Sequence, residues 1–176
     1  MLEKLRKYFD TQLEIREKLL DLSRKTVRVS AKAIFAIHRG ENLRAEELLR
    51  EARDNLRQID ELIEGEPVLA SSGLVRSAQQ EYSEAVLVQT LILERRIPEP
   101  EEVKVPYEPY LLALADSAGE LRRYILDSMR KDEIERAREM FELMNDIFEF
   151  LMEFDYPDAI IPGIKHKQDV VRGLVE

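Results

Sequence analysis

Cysteine is absent from this sequence, which removes disulfides and Cys-ligated zinc from consideration. Glycine is scarce, at six residues, and the seven prolines cluster outside the periodic stretches. That is the profile of a helical protein, because Gly and Pro are the residues that weaken or break helix interiors. No apolar run approaches the ~20 residues a membrane span needs, and Met1-Leu-Glu-Lys4 lacks the form of a secretion signal. The expected location is therefore the cytoplasm, with no membrane partner. Positive charge is also in deficit: 27 Lys and Arg stand against 36 Asp and Glu, a net charge of −9. The surface as a whole will not attract nucleic acid. Any such binding needs basic groups gathered in one place, or a metal at the contact.

What the sequence does have is apolar residues at helical spacing. At 176 residues it reads as a single domain, residues 1–176, long enough to bury a core. From Leu2 to His38, the residues Leu5, Phe9, Leu13, Leu19, Leu22, Val27, Ile34 and Ile37 mark one long helix with no Gly or Pro inside it. Such a helix spans roughly 54 Å, more than one small domain, so part of its flank should serve another chain. A second helix is predicted from about Asn42 to Ile63, and a third from the Ser71-Ser72-Gly73 cap to about Arg95. Pro98, Pro100 and Pro106 then read as an extended connector, short enough to pack the next helix antiparallel to the third. That fourth helix has Pro109 in its first turn and ends near Arg130. Asp132 is expected to cap a fifth, and Ile164 to Glu176 is a last helical pattern. The predicted fold is an all-α bundle of about six to seven helices with a very long N-terminal helix.

Two groups of charged residues stand out from this frame. The second half of the first helix carries Arg24, Lys25, Arg28 and Lys32, of which Arg24, Arg28 and Lys32 share one face at i, i+4 and i+8. They fit a solvated face near a helix C-terminus, where cations are favoured. They fit equally a stripe that meets phosphates. The second group is acidic. Glu81 and Glu84 lie on one face of the third helix, and Asp116 and Glu120 lie one turn apart on the fourth. With 36 acids in 176 positions, roughly seven pairs arise by chance at any one helical spacing, so spacing alone decides nothing. Setting distinguishes these two pairs, because both continue stripes that otherwise look buried. Glu142, Asp146, Glu149 and Glu153, by contrast, read as a solvated face.

Four carboxylates facing one another across two helices repel and raise one another's pKa, and a divalent cation relieves this. Oxygen-only ligation suits Mg²⁺ or Mn²⁺. An iron site of the ferritin type wants Glu-x-x-His on its helices, and neither His38 nor His166 stands in that setting. Both histidines read as ordinary surface or interface residues. A bound Mg²⁺ suits in-line attack on a phosphodiester. A purely structural acid cluster remains the alternative.

The segments Arg16–Lys25, Ala33–Arg39, Gln80–Ala85 and Tyr110–Leu121 resemble the translin family, and specifically its translin-associated factor X (trax) branch. The match runs in order over nearly the whole chain. The resemblance implies seven-helix subunits assembled into a hollow octamer that binds single-stranded RNA and DNA. In the trax branch, a Glu-x-x-Glu pair and a following Asp-x-x-x-Glu pair bind Mg²⁺ and cut RNA. Those acids correspond here to Glu81, Glu84, Asp116 and Glu120, which the resemblance makes both metal ligands and catalytic residues. The connector between the pairs is shorter than in animal trax, which works in a mixed shell with translin. Whether this chain needs a translin-like partner subunit stays open.

The resulting expectation is a Mg²⁺-dependent endoribonuclease acting on single-stranded RNA, with Arg24, Lys25, Arg28 and Lys32 on the RNA backbone. Ser117, Ala118 and Gly119 are small enough to admit a ribose or another helix, or simply to pack. Two alternatives stand beside it. One is a non-catalytic nucleic-acid-binding shell, and the other is an all-α metal-dependent nucleotide pyrophosphohydrolase, which also uses paired acids on helices.

Overall fold

A computed structural model describes all residues, 1–176, and every regular element in it is helical. The long helices are α1 (Leu2–His38), α2 (Asn42–Ile63), α4 (Gly73–Glu94), α6 (Tyr107–Arg130), α7 (Ile134–Met152) and α8 (Ile164–Val175). Two single turns, α3 (Pro67–Ala70) and α5 (Pro100–Val103), lie between them. The six long helices meet the predicted number, and α1 and α2 have the predicted limits. No helix is long and apolar enough to cross a membrane.

Both single turns fall where the sequence reads as loop. Each starts on a proline at its first position, where the missing N–H costs nothing. In α5 the Glu99 and Glu102 side chains and backbones form a reciprocal capping box. Arg96 grips the Glu102 carboxylate with both terminal nitrogens at 2.8 Å. The prolines therefore nucleate a turn inside the connector instead of keeping it extended. Asp132 does not cap α7. It takes a left-handed conformation (φ 61°) and Glu133 stands at the cap. Arg95 and Lys104 likewise turn left-handed at the ends of α4 and α5, the role glycine fills in chains that have more of it.

The direction of α6 corrects the antiparallel expectation. Arg76 near the start of α4 pairs with Glu108 near the start of α6, and Gln80 reaches Asp116. Ile92 and Leu93 at the far end of α4 border the same cavity as Tyr124 and Asp127 of α6. The two helices therefore run parallel. The connector, residues 95–106, serves as a crossover that returns the chain along α4, which its extended reach of up to ~3.3 Å per residue allows. A connector of that length is compatible with either direction, so its length carries no sense of direction.

The core is one cluster of 37 buried apolar residues. It contains the stripe Leu111, Leu114, Ala118, Leu121 and Ile125 of α6, with Leu87, Val88 and Leu91 of α4. On α1, burial begins only at Leu19. Ser23, Thr26, Ser30 and Ala33 then present small buried groups that let neighbouring helices close in. The Ser23 hydroxyl donates to the Leu74 carbonyl at 2.8 Å, tying α1 to the start of α4. Ahead of that point Leu5, Phe9 and Leu13 are 50%, 64% and 54% exposed, so the first half of α1 contributes little to this core.

Candidate metal centre

Parallel packing of α4 on α6 puts the two acidic motifs in register. Glu81, Glu84, Asp116 and Glu120 all lie at the border between core and solvent, each half-buried. Their helices are fixed by the buried residues beside them: Tyr82, Ala85 and Val88 next to Glu81 and Glu84, and Ser117, Ala118 and Leu121 next to Asp116 and Glu120. The backbones that carry the acids cannot shift without unpacking that core. A cleft of about 350 Å³ opens beside Glu81 alone of the four, lined also by Arg76, Ser77, Gln80, Glu108 and Leu112.

The carboxylates feel one another. Burial first, and then the charges of Asp116, Glu81 and Glu120, together push Glu84 up to about 8, against the opposing pull of Lys167. Glu81 is raised as well, first by burial and then by Asp116. Glu120 moves the other way, because a hydrogen bond from His38 holds it below its ordinary value. Asp116 is flanked by two donors. The Gln80 amide donates to Oδ2 at 2.7 Å, and the Lys167 ammonium of α8 pairs with Oδ1. As the side chains stand, no three of these acids converge on a single ligating point. The reason is visible in the partners: both Asp116 oxygens are engaged, and Glu120 is drawn toward α1. The donor set nonetheless fits a hard divalent cation, being all oxygen, half-buried and in excess of negative charge. Lys167 sits where a positive charge is needed to offset that excess.

Three neighbours of this cluster escape the sequence reading. Lys167 belongs to the last helix, 51 positions from Asp116, and nothing in its local sequence marks it. Gln80 could have been found, since it precedes Glu84 by one turn and so shares its face. His38 corrects an expectation. Its side chain is 4% exposed and sits 2.5 Å from Glu120, so it is neither a surface nor an interface residue. His166 is exposed, as expected, and so are Glu142, Asp146, Glu149 and Glu153.

The basic residues are not brought to the acids by any contact. Arg24, Lys25, Arg28 and Lys32 are all exposed, on the side of α1 opposite Ser23, Thr26, Ser30 and Ala33. Lys25 pairs with Asp21 at 2.7 Å, an exposed i,i+4 contact. Among the small residues, Ser117 and Ala118 are buried and serve packing. Gly119 faces solvent, with nothing within 4 Å of where a Cβ would stand, so this chain's own packing does not require a glycine there.

Fold and site together define an all-α bundle protein with a half-buried carboxylate cluster between two parallel helices. The translin family model matches residues 14–176, and the chain belongs to the translin family. The uncharacterized protein MJ0175 of Methanocaldococcus jannaschii is 34% identical over 174 residues, covering 96% of this chain and 75% of that protein. Among solved structures, the AfC3PO–duplex RNA complex matches with a TM-score of 0.90 at 32% identity, over 99% of this chain and 90% of that one. Apo-NeC3PO matches with a TM-score of 0.89 over 99% of this chain and 91% of that one, at 24% identity, a likeness of fold alone.

Proposed function

We propose that this chain is a trax-like member of its family, a metal-dependent ribonuclease acting on RNA held in an oligomeric shell. The observation that carries the reading is that Asp116, Glu81 and Glu120 all lie near enough to Glu84 to raise it, from two helices packed in register. These four would hold Mg²⁺ or Mn²⁺. When bound, such an ion supplies Lewis acidity and charge neutralisation for phosphodiester hydrolysis. The chain's own residues prepare the site. His38 holds Glu120 ionised, Gln80 and Lys167 orient Asp116, and the core packing of α4 and α6 fixes the spacing of both pairs. Likeness to a chain solved with duplex RNA supports RNA as the substrate class, alongside the single strands expected from the sequence.

A second reading is a shell protein that binds RNA without cutting it. Two observations favour it: the acids do not converge on a common point, and Lys167 already pairs with Asp116. Incubating the purified protein with labelled single-stranded and duplex RNA, in Mg²⁺ and in EDTA, separates the two. Cleavage that needs the metal and disappears in Asp116→Asn, with RNA binding retained, is the expected result. Binding without cleavage by the wild type would establish the second reading. A nucleoside triphosphate incubated in parallel tests the pyrophosphohydrolase alternative, and its turnover in place of RNA would overturn both.

A further inference from the structure

His38 is the one polar neighbour that reaches the acidic cluster from α1, the longest helix. It stands in the last turn of α1, and its Nε2 lies 2.5 Å from Oε2 of Glu120, which is 82 positions away in sequence. The imidazole is 4% exposed, and its second nitrogen, Nδ1, is buried with no partner. The ring's single hydrogen bond therefore goes to Glu120. Its remaining contacts are with packing neighbours such as Tyr124, whose ring centroid is 6.2 Å away and which follows Glu120 by one turn of α6. A leucine would fill this place without an orphaned polar atom, so packing alone does not explain an imidazole.

The direction of the bond follows from the chemistry of the pair. A carboxylate oxygen accepts, so the ring donates from Nε2–H to Oε2, a contact that holds Glu120 below its ordinary pKa. Both cationic or donor neighbours of Glu120 meet the same oxygen: His38 at 2.5 Å and the Arg123 guanidinium at 3.7 Å touch Oε2, leaving Oε1 uncommitted. Asp116 is held differently, with both oxygens engaged by Gln80 and Lys167. Glu120 is thus tethered with one oxygen free to ligate.

We infer that His38 is a positioning residue of the acidic cluster, fixing Glu120 through Oε2 so that Oε1 is available to a divalent cation. The inference rests on the metal-site reading proposed above. Hydrogen-bond partners of metal-ligating carboxylates typically contribute 10–100-fold in metal affinity, through orientation and not through contact with the metal.

Titrating Mn²⁺ into the full-length chain without RNA tests this apart from activity. His38→Phe is expected to weaken Mn²⁺ binding by roughly 10–100-fold. His38→Gln places an amide donor near the former Nε2 and should restore most of the affinity, whereas His38→Asn is too short to reach Glu120 and should not. Thermal melting of each variant in EDTA shows whether the fold is intact. Should His38→Phe fail to fold, the Gln and Asn pair still decides. Equal Mn²⁺ affinity in the wild type and the folded Phe variant, or in the Gln and Asn variants, overturns the positioning role and leaves the metal site standing. A wild type that does not bind Mn²⁺ overturns both.

Discussion

Glu84 holds a proton in the metal-free fold that the unfolded chain releases, since burial and then three neighbouring carboxylates push it up to about 8. The sign of the consequence is fixed. A carboxyl whose folded pKa lies above its unfolded one binds more protons when folded, so stability falls as pH rises from the unfolded value of 4.5 through about 8, and the deficit is complete above that. In Glu84→Gln this slope should vanish. Denaturant melts in EDTA should show the variant and the wild type alike near about pH 4, with the variant ahead by a few kcal/mol at about pH 8.5. In saturating Mg²⁺ the advantage should shrink or reverse, because only the wild type gains binding energy from the ion. Parallel pH profiles for the two proteins in EDTA would show that Glu84 is not under this pressure. The same residue explains why the cluster sits half in solvent. Deeper burial would make its ionised form costlier still, and a more exposed site would lose the repulsion that a cation relieves.

At the level of helices, the long periodic elements were legible because each rule pointed the same way. Absence of Gly and Pro from residues 2–38, with apolar residues at three- and four-residue steps, left α1 no alternative. The acidic pairs were legible for a related reason: a carboxylate in an apolar stripe contradicts its surroundings, and Glu81, Glu84, Asp116 and Glu120 do lie beside buried residues. Three features were not. The turns α3 and α5 depend on proline-initiated geometry only four residues long, below what periodicity can register. The parallel sense of α4 and α6 depends on which end of the bundle the crossover returns to, a tertiary choice. His38 and Lys167 act across 82 and 51 positions, distances over which local spacing carries no information. The basic residues illustrate the reverse case, a pattern whose helix is confirmed and whose role is open. If Arg24, Arg28 and Lys32 meet phosphates, replacing any one by Ala should weaken all RNA sequences about equally. It should also lower the salt slope on single strands by roughly 0.7 for each phosphate no longer neutralised. Binding isotherms at several salt concentrations would read this directly, and an unchanged slope would return the stripe to a solvated face.

For the molecule as a whole, the informative fact is how much of α1 lies outside the core. Leu2, Leu5, Phe9 and Leu13 share one helix face, and all four are at least half exposed, beside an equally exposed Tyr8. Soluble chains rarely leave a contiguous apolar stripe of this kind uncovered. The family match begins at residue 14, so this stripe lies ahead of the part that the family model describes. Its length also matters: Leu2 to Leu13 extends over roughly 16 Å of helix, three turns, enough for a partner helix to pack along it. The expected partner is a second copy, since an apolar face on one flank of a helix is self-complementary about a two-fold axis. The chain should therefore sediment as a multiple of 20.6 kDa. In Leu5→Lys combined with Phe9→Lys it should fall toward the monomer. Those two residues bury little in the single chain, so far-ultraviolet circular dichroism and the cooperativity of melting should stay close to the wild type, which separates loss of assembly from loss of fold. A double variant that keeps the wild-type mass would move the interface elsewhere on the bundle. A wild type that is monomeric at micromolar concentration would remove the shell from the proposed function while leaving the acidic centre to be judged by its own tests.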